Sequence, residues 1–574
     1  MKKLLPSDIW PLLFSIILVS CGEQNQSPSE AAIKAIDLKR GEIVLCGPPD
    51  KQFGTVRFET SCSGATKKDF YLALALLHSF EYDEAEKVFA KIIATDPECA
   101  IAYWGVAMSN YHPLWSPPSP SELEKGAKAI SIAQSLKKKS SKESGLIDAI
   151  ALFYKDWDKT NHALRCKNFE NAMEKMFTKF PGDMEVSLFY SLALNGSADP
   201  TDKSLTQQKK AGDILTALYP EELDHPGITH YIIHTYDYPE LAALALPSAK
   251  RYAAIAPSSA HAQHMPSHIF TRLGMWDECI QSNLASTAAA KCYAENTGLA
   301  GHWDEELHGM DYLVYAYLQK GENNLAKMQY DYLLSFDAVF PVNFKVAYAF
   351  AAIPARYVLE NKMWKEAANL EINPSMLSWE QFPWQKAIIH FTRLMGQVHM
   401  KNLEAAKTEL YKLAALYENL IKQKDAYKAN QVQIQVKTAT AWILFSEGKR
   451  EEALELMAVA ADMEDNTQKH PVTPGEVIPA RELLGDMLLQ AGTPGSALEA
   501  YESNLKTHPN RFNGLYGAGR AAELNNNPEK AVSYYRQLTD IANSTASTRH
   551  EVQAANLFLK KQTHTKQITV ATIK

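Results

Sequence analysis

Histidine, a residue that carries out acid–base and metal chemistry, is concentrated in one stretch of this sequence. Residues 225–308 hold eight of the chain's 17 histidines. Imidazole nitrogens exchange protons near neutral pH and bind zinc-like metals at about 2.0–2.1 Å. The stretch therefore predicts a metal centre, and the spacing of the histidines indicates which elements must position them.

Two histidine pairs occupy equivalent positions of consecutive repeats. His230 and His234 are four residues apart, as are His264 and His268, so each pair lies on one side of a continuous helix. The second pair follows the first by 34 residues, which is the length of one tetratricopeptide repeat. Neighbouring helices would then present the same two imidazoles to one surface.

The register of the repeats adds further imidazoles and two carboxylates to this surface. We take Gly274 and Gly321 as the glycines that close the first helices of their repeats, whose inner positions line a groove. Helices pack about 8–10 Å apart, so side chains from two of them can meet at one ion. Pro266 predicts a kink that would move His261 off the shared face. The predicted metal ligands are His230, His234, His261, His264, His268, His308, Asp237 and Asp311.

The ligand types leave the identity of the metal open. Imidazole with carboxylate and no paired cysteine suits Zn, Fe, Cu, Ni or Mn. An ion with an open coordination position could activate bound water, with Asp304, Glu305 or Glu306 as general base. The competing interpretation is a groove of polar rings that binds a peptide, or histidines satisfied singly by backbone and tyrosine groups. Weaker metal candidates are His78, His112, His225 and His302.

Other signatures of function are absent. The sequence has no GxSxG elbow, P-loop, HExxH or CxxC motif. A net charge of −7 gives no general attraction for phosphate backbones, so no nucleic-acid partner is predicted. With 46% hydrophobic and 22% charged residues, the composition is that of a globular protein.

Helical hairpins are the elements that must position the histidines. From about residue 66 onwards, apolar residues recur at intervals of three and four residues, and the alternation of apolar and polar residues typical of strands is scarce. In residues 70–97, Tyr82, Ala85 and Phe89 followed by Asp96 match the tetratricopeptide pattern. A hairpin of this size cannot bury its apolar face alone, so copies stack. The predicted fold is an all-α solenoid of tetratricopeptide-like hairpins with irregular insertions. Further copies are predicted at 102–108, 270–279, 312–326, 439–456, 483–501 and 511–536.

The N-terminus carries the pattern of an export signal. Lys2 and Lys3 precede an apolar run over residues 10–19, which is too short to span a bilayer. Cys21 follows small residues in an order that resembles the bacterial lipobox, so it is the predicted lipidation site. The predicted location is the bacterial cell envelope, lipid-anchored on the periplasmic face or at the outer membrane. An ordinary secretory signal is the alternative.

Export would place the remaining cysteines in a compartment that permits disulfides. Cys46 and Cys62 lie in a Gly- and Pro-bearing stretch ahead of the first repeat helix and are predicted to pair. The other cysteines fall within helical patterns, where a buried free thiol is the commoner state. These predicted free thiols are Cys99, Cys166, Cys279 and Cys292.

The predicted organisation has five parts. Residues 1–20 are a lipoprotein signal peptide, and residues 21–65 form a tether with the Cys46/Cys62 loop. An N-terminal solenoid with the histidine-rich groove spans 66–345, and a C-terminal solenoid spans 346–540. Residues 541–574 form a polar tail.

Several sequence blocks are more specific than the general repeat pattern. They are LLHSFEYDEA (76–85), AYWGVAM (102–108) with the following HPLW, HPGITHYIIH (225–234), HMPSHIFTRLGMW (264–276) and HPVTPGEVIPARELLGDMLL (470–489). Through them the chain resembles an uncharacterised family of bacterial tetratricopeptide lipoproteins over nearly its whole mature length. The resemblance implies a solenoid and export, and it transfers no catalytic residue.

These observations predict an exported, lipid-anchored solenoid whose groove binds a protein, peptide or small ligand through a metal-loaded patch. A metal-dependent enzyme, hydrolytic or oxidative, that uses this patch as its active site is the second hypothesis. A metal-free scaffold for peptide or protein partners is the third. In every case the membrane is reached through the lipid anchor.

Overall fold

The computed structural model describes residues 27–44, 46, 52–114, 117–199, 202–375, 377–542 and 547–572. The predicted signal peptide and Cys21 lie outside these residues. Two single-turn 3₁₀ helices occur at Gly64–Thr66 and Trp379–Gln381, and the strands β1 (His302–Trp303) and β2 (Val339–Phe340) form one short parallel pair. The helices are α1 (Glu30–Lys34), α2 (Lys67–His78), α3 (Tyr82–Thr95), α4 (Ala100–Ser109), α5 (Pro120–Ser135), α6 (Ser141–Tyr154), α7 (His162–Lys179), α8 (Met184–Ser197), α9 (Thr206–Leu218), α10 (Pro226–Thr235), α11 (Ala242–Ile255), α12 (Ala260–His264), α13 (Pro266–Leu273), α14 (Trp276–Thr297), α15 (Asp304–Gln319), α16 (Asn323–Leu334), α17 (Phe344–Glu360), α18 (Trp364–Ala368), α19 (Pro383–His399), α20 (Leu403–Lys422), α21 (Ala426–Ser446), α22 (Arg450–Asp465), α23 (Ala480–Gln490), α24 (Pro494–Thr507), α25 (Phe512–Leu524), α26 (Pro528–Ile541) and α27 (His550–Thr572).

The helices stack as consecutive hairpins. Each helix packs mainly against the next along the chain, as in the pairs α2 with α3, α19 with α20 and α25 with α26. First helices of neighbouring hairpins also contact one another, and α15, α17, α19 and α21 form such a continuous inner layer. Repeats that contact chiefly their neighbours define a solenoid. The predicted all-α solenoid is confirmed.

Close contacts between small and aromatic residues hold each hairpin together. Gly105 of α4 lies against Phe89 of α3, where a Cβ atom would stand 2.3 Å from the ring. Gly517 of α25 meets Tyr501 of α24 in the same way, at 2.4 Å. Because only glycine permits this approach, the small and aromatic positions of the repeat pattern are fixed by packing.

The glycines used to set the register end helices as expected. Gly274 is the C-cap of α13 with a φ of 64°, and Gly321 follows α15 with a φ of 68°. This left-handed backbone conformation favours glycine at a helix end. Both glycines therefore stand at the helix ends where the register places them.

The N-terminal strap, which we define as residues 27–44, 46 and 52–66, is docked on the solenoid. The backbone N–H of Lys39 donates to Glu86 of α3 at 2.7 Å, and that of Val44 donates to Glu84 at 3.1 Å. Further along the strap, Thr55 donates to the carbonyl of Asp224 at 3.1 Å. The prediction of a tether was wrong for this part, because the strap satisfies its backbone groups against the first hairpin.

Both disulfides connect the strap to helices of the solenoid. Cys46 is bonded to Cys292 of α14, with Cα atoms 5.8 Å apart, and Cys62 is bonded to Cys99 before α4, at 4.8 Å. The predicted pairing of Cys46 with Cys62 was therefore wrong, as was the prediction of free thiols at residues 99 and 292. The strap runs along the solenoid surface, which brings its two cysteines to different helices. The buried free thiols that remain are Cys166 and Cys279, as predicted.

The groove loop, which we define as residues 466–479, packs against α17 of the inner helix layer. Arg356 of α17 donates to the carbonyl of Gly475 at 2.9 Å, and the Tyr348 hydroxyl donates to the same carbonyl at 3.3 Å. Lys469 reaches across to Asp237 at 2.9 Å. The chain thus folds back, so that its C-terminal half covers the histidine-bearing segment.

The core does not follow the predicted domain boundaries. One cluster of buried apolar residues continues from Ile36 to Ala500 and passes the predicted boundary at 345/346 without a break. A second cluster runs from Ala497 to Ala555. The latter includes α27, so the described part of the predicted polar tail forms a packed helix. Among the described residues, we find no helix with the length and apolar character needed to cross a bilayer.

Candidate metal centre

Six of the predicted histidines converge inside the solenoid as two groups of three. Within each group, one ring nitrogen from every histidine lies within 4.8 Å of the others. All are buried except His234, which is half-buried. Trio A is His230, His234 and His261, and trio B is His264, His268 and His308.

His261 and His264 lie on one short helix but belong to different trios. Pro266 begins α13 directly after α12, and Met265 between them keeps right-handed helical backbone angles (φ −53°, ψ −37°). His261 faces α10 and joins trio A, whereas His264 and His268 face α15. Pro266 therefore does not remove His261 from the cluster, contrary to the prediction.

Hydrogen bonds fix which nitrogen carries the proton in two rings of trio B, those of His264 and His268. Nδ1 of His264 donates to Oδ1 of Asn283 at 2.6 Å, and the amide orientation is set by Nδ2 donating to the carbonyl of Cys279 at 2.8 Å. Nδ1 of His268 donates to the Asp237 carboxylate at 3.0 Å. In the neutral rings both Nε2 atoms therefore carry lone pairs. Those two atoms lie 3.0 Å apart.

Two lone pairs that face each other at this distance repel, and a cation between them would remove the repulsion. Two nitrogens bound at 2.0–2.1 Å to a tetrahedral ion stand about 3.3 Å apart, close to the separation of the Nε2 atoms of His264 and His268. His308 provides the third imidazole of trio B, and its ring centroid lies 4.1 Å from that of His264. Burial lowers the pKa of all three imidazoles, so a proton is a poor substitute for a metal ion.

Trio A repeats this arrangement with a backbone acceptor. Nδ1 of His230 donates to the carbonyl of His78 at 2.6 Å, which directs its Nε2 towards Nε2 of His261 at 3.1 Å. The ring of His234 is 4.7 Å from that of His230. Burial lowers the pKa of His230 to about 3, so its ring is neutral at physiological pH.

The two trios adjoin each other. His261 and His264 lie on the same short helix, α12, and the rings of His234 and His268 are 6.3 Å apart. Phe80 covers trio A, and its ring lies 4.4 Å from that of His230. The six imidazoles thus form one continuous buried belt.

The two predicted aspartate ligands lie outside the trios. Asp237 accepts a hydrogen bond from Nδ1 of His268, and it also pairs with Arg272 at 2.9 Å and with Lys469. Such a carboxylate orients a metal-bound histidine without touching the metal. Asp311 forms a buried ion pair with Arg356 of α17. Its prediction as a ligand was wrong, because the arginine that occupies it lies one hairpin further along the chain.

The acidic residues at the start of α15 are also engaged. Asp304 pairs with Lys345 at 2.7 Å, and Glu305 pairs with the same lysine. Glu306 accepts from His302 at 2.8 Å and from Tyr332 at 3.0 Å. A general-base role for these carboxylates therefore finds no support in their contacts.

A third group of close ligand atoms is a closed hydrogen-bond network. His225 accepts at Nδ1 from the backbone N–H of Gly227, so its Nε2 donates to Glu185 at 3.2 Å. His78 donates from Nε2 to the same carboxylate at 2.8 Å and accepts at Nδ1 from the Tyr231 hydroxyl at 2.9 Å. Each ring nitrogen already has a partner, so this group is structural. Sequence reasoning missed Glu185, which stands in no recognisable motif.

A cavity of about 210 Å³ adjoins trio A at His261. Its walls carry aromatic rings, including Phe80 and Trp303, and charged groups, including Glu305 and Lys345. A space of this volume admits a small molecule rather than a folded partner. Its lining reaches the histidine belt at His261.

Comparison with known proteins identifies the repeats. Residues 480–546 match the tetratricopeptide repeat family. The chain contains tetratricopeptide repeats. Repeats of this class stack into extended surfaces suited to protein–protein interaction.

Matches to whole proteins are distant. No curated protein matches the chain. Solved structures similar to it include the APC/C hetero-tetramer Cut9–Hcn1, at 11% identity and a TM-score of 0.28, covering 87% of this chain and 90% of that chain. The human IFIT1 dimer with PPP-AAAA is also similar, at 11% identity and a TM-score of 0.34, covering 77% of this chain and 90% of that chain.

Proposed function

We propose that this protein is a transition-metal-binding tetratricopeptide solenoid, whose histidine belt holds metal and presents it to a small molecule. The observation that carries the proposal is the 3.0 Å separation of the Nε2 atoms of His264 and His268, both of whose Nδ1 atoms already donate elsewhere. A bound ion turns this repulsive contact into ligation. Asp237 and Asn283 hold the two rings in the required tautomer.

Three protein ligands per ion leave a coordination position for an exogenous molecule. In proteins, three-ligand sites of this kind are typical of metal ions that act on a bound water or substrate. The cavity beside His261 gives a small molecule access to trio A. The metal would supply a Lewis-acidic position there, and the chain's residues would bind, orient and shield the molecule.

Two features favour this proposal over a peptide-binding groove. The groove loop covers part of the inner helix α17, where Arg356 and Tyr348 bind its backbone. Five of the six belt histidines are buried, so their rings are not available to an extended peptide. A protein partner would instead use the outer surfaces of the repeats.

Location at the cell envelope is part of the proposal. The two disulfides favour an oxidising compartment. Ser27 donates to Glu98 at 2.7 Å, six residues after Cys21. A lipid on Cys21 would therefore hold the solenoid close to the bilayer.

Elemental analysis of the purified full-length mature protein tests the metal proposal. After dialysis, we expect a stoichiometric transition metal in the wild-type chain and a loss of at least one equivalent in the double variant His264→Ala/His268→Ala. The matched control is His390→Ala, which removes a buried histidine that donates to Glu409 at 2.6 Å in α20, outside the belt.

Thermal unfolding of the wild-type chain, with and without added metal, tests the proposal without the use of variants. A metal at 100 times its Kd stabilises the folded wild-type chain by about 2.7 kcal/mol. An absence of bound metal after supplementation, together with an unchanged Tm on metal addition, would falsify the proposal.

A further inference from the structure

We propose that the two trios bind copper(I), one ion in each, as an adjacent pair. This inference rests on the proposed function, because it assumes that the trios hold metal. It adds the number of ions and their charge, which follow from the ligands and from the groups around them.

The ligand set carries no negative charge. Each trio consists of imidazoles alone, with no carboxylate or thiolate among its members. A neutral imidazole leaves the charge of the ion unchanged, so a divalent ion would remain a buried dication. The energetic cost of burying an ion rises with the square of its charge, and is therefore four times greater for a divalent than for a monovalent ion.

The surrounding charged groups do not offset such a dication. Asp237 accepts from His268 of the belt, and it is already shared by Arg272 and Lys469. On the other side, Lys345 is neutralised by Asp304 and Glu305. These two groups carry opposite net charges, so the neighbourhood is close to neutral before any ion enters.

The two trios adjoin each other, so ions bound in them would also repel one another. The rings of His234 and His268, one from each trio, are 6.3 Å apart, and His261 and His264 belong to one helix. Repulsion between two ions scales with the product of their charges, so two dications would repel each other four times as strongly as two monovalent ions. Two divalent ions would need a bridging anion, which no side chain of the trios supplies.

Copper(I) matches each of these conditions. It is monovalent, and it is satisfied by two or three nitrogen donors without a further anionic ligand. Imidazole is a good ligand for copper, and exclusion of water favours the lower of its two charge states. Zinc, which is always divalent in proteins, would keep the full desolvation cost in both trios.

An anaerobic titration of the metal-free, full-length mature protein with copper(I), in competition with a chromophoric copper(I) chelator, tests the inference. We expect two equivalents in the wild-type chain and in the His390→Ala control. Each double variant, His264→Ala/His268→Ala and His230→Ala/His234→Ala, is expected to retain one. X-ray absorption of the loaded wild-type protein should show nitrogen neighbours and no sulfur, which tests the site even if a variant fails to fold.

A parallel zinc titration separates this inference from the proposed function. Two zinc ions bound more tightly than copper(I) would overturn the copper(I) pair and leave metal binding intact. A single copper equivalent that both double variants abolish would also overturn it, since that outcome indicates one shared site. Binding of neither metal would overturn the copper(I) pair, and the absence of every transition metal from the elemental analysis would overturn the proposed function as well.

Discussion

Replacement of Asp237 by asparagine tests the support of trio B most directly. The carboxylate accepts from Nδ1 of His268 at 3.0 Å, from Arg272 at 2.9 Å and from Lys469 at 2.9 Å. Asparagine keeps the shape but removes the charge, so Asp237→Asn leaves two buried cations without a counter-ion. We expect a loss of about 3–5 kcal/mol in the free energy of unfolding.

Asp237→Asn should also weaken metal binding, and this effect is measured independently of the loss of stability. Loss of a hydrogen-bond partner behind a metal-bound histidine typically weakens binding 10–100-fold, or by about 1.4–2.7 kcal/mol. The assays are urea unfolding of the metal-free protein and a competition titration for the Kd. The control is Glu409→Gln, since Glu409 also accepts from one histidine, His390, and from one lysine, Lys412 at 2.7 Å, away from the belt.

The two variants should diverge in only one measurement. Both should lower stability, and only Asp237→Asn should raise the Kd for metal. If Asp237→Asn destabilises the protein while the Kd stays within a factor of two of the wild-type value, His268 is not a metal ligand. The assignment of trio B would then be refuted.

Three further predictions concern other parts of the chain. Burial lowers the pKa of His470 to about 3, so between pH 6.5 and 3 the unfolded chain binds more protons than the folded chain and stability falls as the pH falls. In urea unfolding, His470→Gln should remove about 1–2 kcal/mol of the stability lost between pH 7 and 5. An unchanged dependence of stability on pH would contradict this. Non-reducing peptide mapping should recover Cys46 linked to Cys292 and Cys62 linked to Cys99. Removal of either disulfide should lower the free energy of unfolding by about 2–4 kcal/mol. A peptide that links Cys46 to Cys62 would show that the strap docks differently. Cys21→Ser should move the protein from the membrane fraction to the soluble fraction of an expressing bacterium, and continued sedimentation with membranes would argue against a lipid anchor.

The helical part of the fold was readable from the sequence because it depends on local spacing. Apolar periodicity and the small and aromatic positions, such as Gly105 against Phe89, act within one hairpin. The 34-residue interval between the histidine pairs also predicted their convergence, since equivalent positions of stacked repeats become neighbours. Gly274 and Gly321 gave the correct register for the same reason.

Features that depend on distant segments were not readable. The partners of Cys46 and Cys62 follow from the path of the strap, and the partner of Asp311 is Arg356 in the next hairpin. Most of the groove loop belongs to the HPVTPGEVIPARELLGDMLL block, but no periodicity predicts that a Pro- and Gly-bearing segment packs against α17. Glu185 likewise gains its role only when α8 packs beside α2 and α10.

The Cys46–Cys292 bond links the assembly of the histidine belt to redox conditions. Residue 292 is on α14, the same helix whose Asn283 accepts from His264 and orients its ring. A newly made chain in a reducing cytosol lacks this covalent tie, so α14 is held there by packing alone. Oxidation then fastens the helix that aligns one imidazole of trio B. The proposed metal site of trio B would therefore be held most rigidly in a compartment where thiols are oxidised.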